Sequence, residues 1–285
     1  MKYSFRISDF SFSLDCPDAV TPPENFLKFR SASSEAEYRY TLVLSDELPP
    51  PAGTLAARRD DILIYWDGDR ETRYLRFHAA PTHGAYACCR EEDAGSTRIF
   101  FRPSDMGDLV LDNIFTSLFA LERRIIRHDA LILHSSYNRY RGEAILFSAP
   151  SGTGKSTQAG LWERYRGTEQ LNGDRSLLRK IDSVWTACGW PVCGSSEICH
   201  NADTPIRAIV MLSQAPENRI ERLGAMAAFS RLYSQITINR WDRAFTTHAM
   251  DLIETLVKEV PIYHLACTIS EEAVDCLDQA LQMKL

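Results

Sequence analysis

Two short stretches hold most of the residues of this 285-residue chain that could do chemistry together. The first, residues 149–156, reads APSGTGKS and is followed by Thr157. It matches the pattern G-x-x-x-x-G-K-[ST], with Ala149 in place of the first glycine. Gly152 and Gly154 let the backbone turn so that several N–H groups, including those of Ser151 and Thr153, face one anion. Lys155 suits a bridge between β- and γ-phosphates, and the Ser156 hydroxyl suits Mg²⁺. The second stretch, residues 171–175, reads LNGDR and lies shortly downstream. A carboxylate beside a phosphate site can accept a proton or hold a metal, so Asp174 is a candidate for either role. Read alone, Asn-Gly-Asp is also ordinary turn chemistry.

Two more residues join this group. His134 ends an apolar strand, where it could donate to a phosphate oxygen or position an acceptor; a packed core histidine is the plain alternative. Arg175 could bring positive charge to a transferred group, or pair with a surface carboxylate.

Elements of the right type flank these residues. The apolar runs ALILH and AILFS read as strands on either side of the polar turn NRYRGE. The second strand leads into the glycine loop, and a helix is predicted from about 155 to 165. A helix N-terminus adds unpaired N–H groups and partial positive charge to such a loop. SLLRKIDSVWTAC reads as a hairpin turning near Asp182-Ser183, and RAIVMLS as a buried strand. Helices are predicted over about 226–236 and 241–260, the second stopped by Pro261. IYHLAC is a final strand and SEEAVDCLDQALQM a final helix.

The first hundred residues differ in character. Strand-like runs are separated by turn signals, including ELPPPAG and the hairpin signal Asp67-Gly68 in DILIYWDGDRETRYLRF. AYACCREEDAGSTRIFF repeats the pattern with a longer turn. One helix is predicted from Leu109 to Arg127, with Leu111, Ile114, Phe115, Leu118, Leu121, Ile125 and Ile126 at helical spacing. A β-rich domain over 1–105 followed by a nucleotide-binding domain over 106–285 is therefore expected.

Composition narrows the class. The formal net charge of −6 argues against a broad nucleic-acid surface. No apolar run reaches the roughly 20 residues of a membrane span, and the N-terminus lacks a signal-peptide pattern. The cytoplasm is the expected compartment, and the eight cysteines are expected to be reduced thiols. Cys188, Cys193, Cys199 and His200 fit no common zinc framework.

The order of motifs resembles a known family. LHSS precedes the glycine loop, LNGDR follows its helix, and ACGWPVCGSSE comes after a short hairpin. This order is similar to that of the HPr serine kinases, whose nucleotide-binding core is shared with phosphoenolpyruvate carboxykinase. The resemblance runs from about Leu131 to the C-terminus. It implies an α/β core of the P-loop type, α+β overall with the preceding β-rich domain. It assigns His134 to the active-site histidine, Lys155 and Ser156 to phosphate and metal, and Asp174 to the second of two adjacent acidic positions. Gly173 stands where the first acid would be, and this departure weakens the implication that HPr itself is the acceptor. The activity implied is Mg²⁺-dependent transfer of the γ-phosphate of ATP, or GTP, to a hydroxyl, expected on a serine of a protein or peptide. Relatives include kinases of ribosomally made peptides, so the β-rich domain could present an acceptor or leader peptide. The other readings are a catalytically weak nucleotide-binding regulatory module, favoured by Gly173, and a small-molecule kinase. The pattern sets no oligomeric state.

Overall fold

A computed structural model describes residues 1–33, 35–77 and 84–282. The chain divides into two compact units, Met1–Leu121 and Glu122–Leu285.

Unit 1 is built on one eight-stranded sheet. Its strands are β1 (Lys2–Ile7), β2 (Phe10–Asp15), β3 (Tyr38–Leu44), β4 (Thr54–Arg58), β5 (Ile62–Asp67), β6 (Arg70–Arg76), β7 (Ala85–Asp93) and β8 (Ser96–Phe101). They run in the order β1-β2-β3-β8-β7-β6-β5-β4, antiparallel except where β3 pairs parallel with β2 and β8. The β5–β6 hairpin closes at Gly68, whose φ of +65° only glycine adopts cheaply. An aromatic cluster forms the core: Phe12 packs on Tyr40 at 5.4 Å and on Phe119 at 5.6 Å. Phe26, in the short helix α1 (Glu24–Leu27), packs on Phe5 at 4.8 Å.

The periodic run from Leu109 to Arg127 is not one helix. It breaks into a 3₁₀ segment (Pro103–Val110), α2 (Asp112–Ser117), α3 (Leu121–Ile125) and a 3₁₀ turn (Ile126–His128). Leu111 is extended, with ψ of 121°, and Ala120 is left-handed, with φ of +48°. Phe115 and Phe119 both reach Phe26, at 4.9 and 5.4 Å, and packing here overrides the helical period.

Unit 2 holds the residues singled out in the sequence. Its strands are β9 (Leu131–Tyr140), β10 (Glu143–Ser148), β11 (Glu169–Asn172), β12 (Arg175–Ile181), β13 (Val184–Cys188), β14 (Thr204–Gln214), β15 (Arg219–Arg222) and β16 (Ile262–Cys267). Their order is β10-β9-β12-β13-β14-β16-β15; β11 pairs with β9, and β14 also pairs with β10. The mixture of two sheets and helices is an α+β arrangement. The expected turn NRYRGE is shorter than its composition suggests, because β9 continues through Tyr140. Only Arg141 and Gly142, with φ of +53° and +82°, make the turn. Asp182 and Ser183, both with positive φ, turn the β12–β13 hairpin.

Parallel pairing of β10, β14 and β16 brings their carboxyl ends to one edge. Helices cover both faces. On one side α4 (Lys155–Arg166) and α7 (Glu271–Gln282) bury Ala159, Trp162, Val274 and Leu277 against Phe147, Val210 and Leu265. Met283, the last residue of the helix expected there, lies outside the described residues. On the other side α5 (Ala225–Gln235) and α6 (Arg243–Glu259) bury Leu232, Ile253 and Leu256 against Ile209 and Met211. Each such large apolar side chain contributes about 1.5–3 kcal/mol when fully buried. The Asp242 side chain caps α6, accepting from Phe245 N at 3.0 Å.

Candidate active site

The glycine loop is anchored at both ends. Strand β10 delivers Ser148, and a turn follows in which Thr153 N donates to Pro150 O at 3.3 Å. Gly152 has φ of +78° and Gly154 φ of +114°, a region closed to side chains without strain. Gly154 is also the residue before α4, and no side chain caps the helix there. The first-turn amides are thus left for an anion, at the positive end of the helix dipole. Lys155 is buried and donates from Nζ to Ala149 O at 3.2 Å. Burial pushes its ammonium below the usual lysine range; the Asp174 carboxylate opposes that shift and Arg175 adds to it.

Asp174 occupies the link between β11 and β12, held from three sides. The antiparallel register sets Arg175 opposite His134. His134 Nε2 lies 3.3 Å from Asp174 Oδ1, and Arg175 Nε lies 3.3 Å from Oδ2. Arg175 also donates to Thr237 Oγ1 at 3.2 Å. Burial alone would raise the carboxyl pKa. The hydrogen bond from His134 and the charges of Arg175, His134 and Lys155 outweigh it, and the group sits below the usual carboxylate range. Ser135 N donates to Asp174 O at 2.9 Å, so the backbone is fixed as well.

One residue the sequence reading passed over does much of this positioning. Asn172 is 1% exposed. Its Oδ1 accepts from Asp174 N at 2.9 Å and Arg175 N at 3.0 Å, and its Nδ2 donates to Trp190 O at 2.9 Å and Val192 O at 3.1 Å. It therefore sets the carboxylate turn and ties it to the Gly-Trp-Pro loop that follows β13. The asparagine one residue before Gly-Asp was the available signal, since Asn bonds the backbone two residues on.

These groups meet around a cavity of about 280 Å³. Ser151, Gly152, Gly154, Lys155, Ser156 and Thr157 line it from the loop side, with His134 and Asp174 across from them. Thr153 and Arg175 do not line it. Thr153 O faces Gln214, whose Nε2 donates at 3.5 Å, and Arg175 lies against Asp174 instead. Gly173, Cys193, Gly194 and Ser196 complete the wall.

The structure gives a steric reason for Gly173. A Cβ there would fall 1.8 Å from Ser196 Oγ and 2.3 Å from Ser196 Cβ. Ser196 itself is tied down, donating to Cys193 O at 2.7 Å. Gly194, with φ of +60°, lies against Asp174, and a Cβ at 194 would be 3.1 Å from Asp174 Cβ. The loop from 193 to 196 fills the space in which a second acidic side chain would stand.

The donor set bears on the expected metal. Among the described residues no group of three or more His, Cys, Asp or Glu side chains could hold an ion. Ser156 and Asp174 offer a hydroxyl and a carboxylate to one cavity. Hard oxygen donors in such small number suit Mg²⁺, which keeps waters and takes substrate phosphate oxygens as further ligands.

A sequence model of the family described as SynChlorMet cassette protein ScmC matches residues 101–282. The chain belongs to this family. The match takes in every residue that lines the cavity, from His134 to Ser196, and ends at the last residue of α7. No curated protein matches this chain. Among solved structures, the HPr(Ser) kinase/phosphatase from Coxiella burnetii is similar over 53% of this chain and 87% of its own. The two are 12% identical, and a TM-score of 0.30 is too loose a likeness to argue from. No helix among the described residues is long and apolar enough to cross a membrane.

Proposed function

We propose that unit 2 is a Mg²⁺-dependent phosphotransferase that moves the γ-phosphate of ATP, or GTP, to a hydroxyl, with a serine of a protein or peptide as acceptor. The observation that carries this reading is the convergence of Lys155, Ser156 and the first-turn amides of α4 with Asp174 and His134 on one cavity. Phosphoryl transfer asks for little else: charge neutralisation, alignment, and a group that takes the acceptor proton.

The geometry supports the following roles. The loop amides and Lys155 bind the phosphate chain. Ser156 and Asp174 would hold Mg²⁺, which when bound supplies charge neutralisation at the β- and γ-phosphate oxygens. Asp174 takes the proton of the acceptor hydroxyl as its oxygen bonds to the γ-phosphorus and the bond to the β-phosphate oxygen breaks, releasing the diphosphate. His134 and Arg175 each hold one carboxylate oxygen and fix its direction. With Ser196 closing the neighbouring position, Asp174 is the one carboxylate lining the cavity for these tasks.

The test uses purified protein, Mg²⁺ and γ-labelled ATP with protein and peptide fractions of a host extract, comparing wild type with Lys155→Ala and Asp174→Asn. Transfer in wild type that is lost in both variants supports the kinase. The closed position beside Gly173 favours a second reading, a nucleotide-binding module without transfer. That reading is the better one if wild type binds ATP, labels nothing, and Asp174→Asn binds equally well.

A further inference from the structure

We infer that the nucleoside end of the substrate lies against Ile269, on the segment that follows β16. The inference rests on the nucleotide reading and adds to it the place of the base.

A triphosphate laid along the glycine loop has two ends, and the site distinguishes them. The γ end belongs with Asp174 and His134, which come from the β9–β12 side of β10. The other neighbour of β10 is β14, and beyond it lies β16. All three are parallel, so the segments after β14 and β16 leave from the same edge as the glycine loop. Ligands of open parallel sheets bind outside the carboxyl ends of the strands. The nucleoside therefore extends away from Asp174, toward the ends of β14 and β16.

Both segments touch the phosphate-binding elements. Gln214, at the end of β14, donates to Thr153 O at 3.5 Å. Gln158, in the first turn of α4 and 3% exposed, donates to Thr268 O at 3.1 Å and to Cys267 Sγ at 3.2 Å. The segment is tied internally as well as to α4. Asn218 Oδ1 accepts from Thr268 N at 2.8 Å and from Thr268 Oγ1 at 3.2 Å. Thr268 Oγ1 also lies 2.9 Å from Ser270 Oγ. Between these two anchored residues stands Ile269, 76% exposed.

A single exposed isoleucine is unremarkable on most surfaces. This one is held between two fixed polar residues, next to a residue bonded to the phosphate helix, on the side where a base must emerge. It offers an apolar platform to the flat face of a nucleobase. Asn218 is committed to the segment, so it stiffens the platform rather than reading the edge of the base.

The experiment is calorimetric titration of the full chain, with Mg²⁺, by ATP and separately by tripolyphosphate, which has the charge but no base. Wild type is compared with Ile269→Ser and Ile269→Leu; both changes are neutral and at an exposed position. Expected is a loss of ATP affinity of about fivefold to tenfold in Ile269→Ser, with tripolyphosphate unchanged and Ile269→Leu near wild type. Equal ATP affinity in wild type and Ile269→Ser overturns the inference. So does an equal loss for both ligands, which would mean a disturbed phosphate loop. If wild type takes up neither ligand, the nucleotide reading falls first and the platform with it.

Discussion

Adding one carbon at Gly173 should damage the site, and removing one side chain elsewhere should repair it. In Gly173→Ala the new Cβ meets Ser196 Oγ at 1.8 Å and Ser196 Cβ at 2.3 Å. A rotamer change moves Oγ but not Cβ, so the loop backbone itself must retreat. Overpacking of this kind costs about 1–3 kcal/mol. In a unit of this size about 1 kcal/mol lowers the melting temperature by about 2–4 °C, giving a fall of about 2–12 °C. The loop carries Gly194 against Asp174, so transfer should drop as well. Ser196→Gly removes both clashing atoms and leaves Cys193 O as the next neighbour, at 3.3 Å. Alone, it loses the hydrogen bond to Cys193 O and the one accepted from Ile198 N, about 1 kcal/mol each, and loosens the chain by a further 0.5–1 kcal/mol or so. The double variant should then cost less than the sum of the two singles by about 1–2 kcal/mol, the signature of two residues competing for one space. Thermal unfolding followed by tryptophan fluorescence suits the purpose, because Trp162, Trp185, Trp190 and Trp241 all lie in unit 2. A neutral Gly173→Ala, or strictly additive variants, would refute the steric account of Gly173.

Lys155→Ala should abolish transfer and weaken nucleotide binding by at least about tenfold, read by labelled-ATP transfer and calorimetry. Asp174→Asn should lower kcat by about 10²–10⁴, as expected for loss of a general base, and weaken ATP binding only where it depends on Mg²⁺. Asn172→Ala should act through position, lowering kcat about tenfold with little change in the KM for ATP and a fall in melting temperature; an unchanged kcat would reduce Asn172 to a structural tie. The Asp174 carboxyl is held low by His134, Arg175 and Lys155, so its ionised form is favoured in the fold. Its contribution to stability is complete above the ordinary carboxylate range and is lost as pH falls through the lowered value. Asp174→Asn should therefore flatten the acid side of the stability profile, which melting temperatures from about pH 5 downward through the lowered value would show.

The parts that could be read from the sequence share a physical cause: each is a local rule with its own signal. Gly152, Gly154 and Lys155 form a contiguous pattern, and the strand before it and the helix after it have clear periods, so the loop could be placed without tertiary knowledge. Asp182-Ser183 and Asp67-Gly68 likewise announce their hairpins. The expected helix over 109–127 failed for the complementary reason. Its period was genuine, but the aromatic cluster of Phe26, Phe115 and Phe119 decides the backbone, and a residue as helix-friendly as Ala120 ends up left-handed.

Gly173 shows where the boundary lies. From the sequence it is an absence, one acid missing from a pair. In three dimensions it is a presence, because Ser196 from a loop more than twenty positions away occupies the space. Nothing local to LNGDR could reveal that. Asn172 is similar: its link to Asp174 is a short-range turn that the sequence permits, but its two donations to Trp190 O and Val192 O are long-range. Together these contacts make LNGDR and the loop after β13 a single mechanical piece. A substitution in residues 190–196 should therefore be felt at the Asp174 carboxylate before it is felt at Lys155, whose contacts run instead through Ala149 and α4. On this argument, variants of that loop separate into a class that lowers kcat and spares ATP binding, and variants of residues 151–154 into a class that does the reverse.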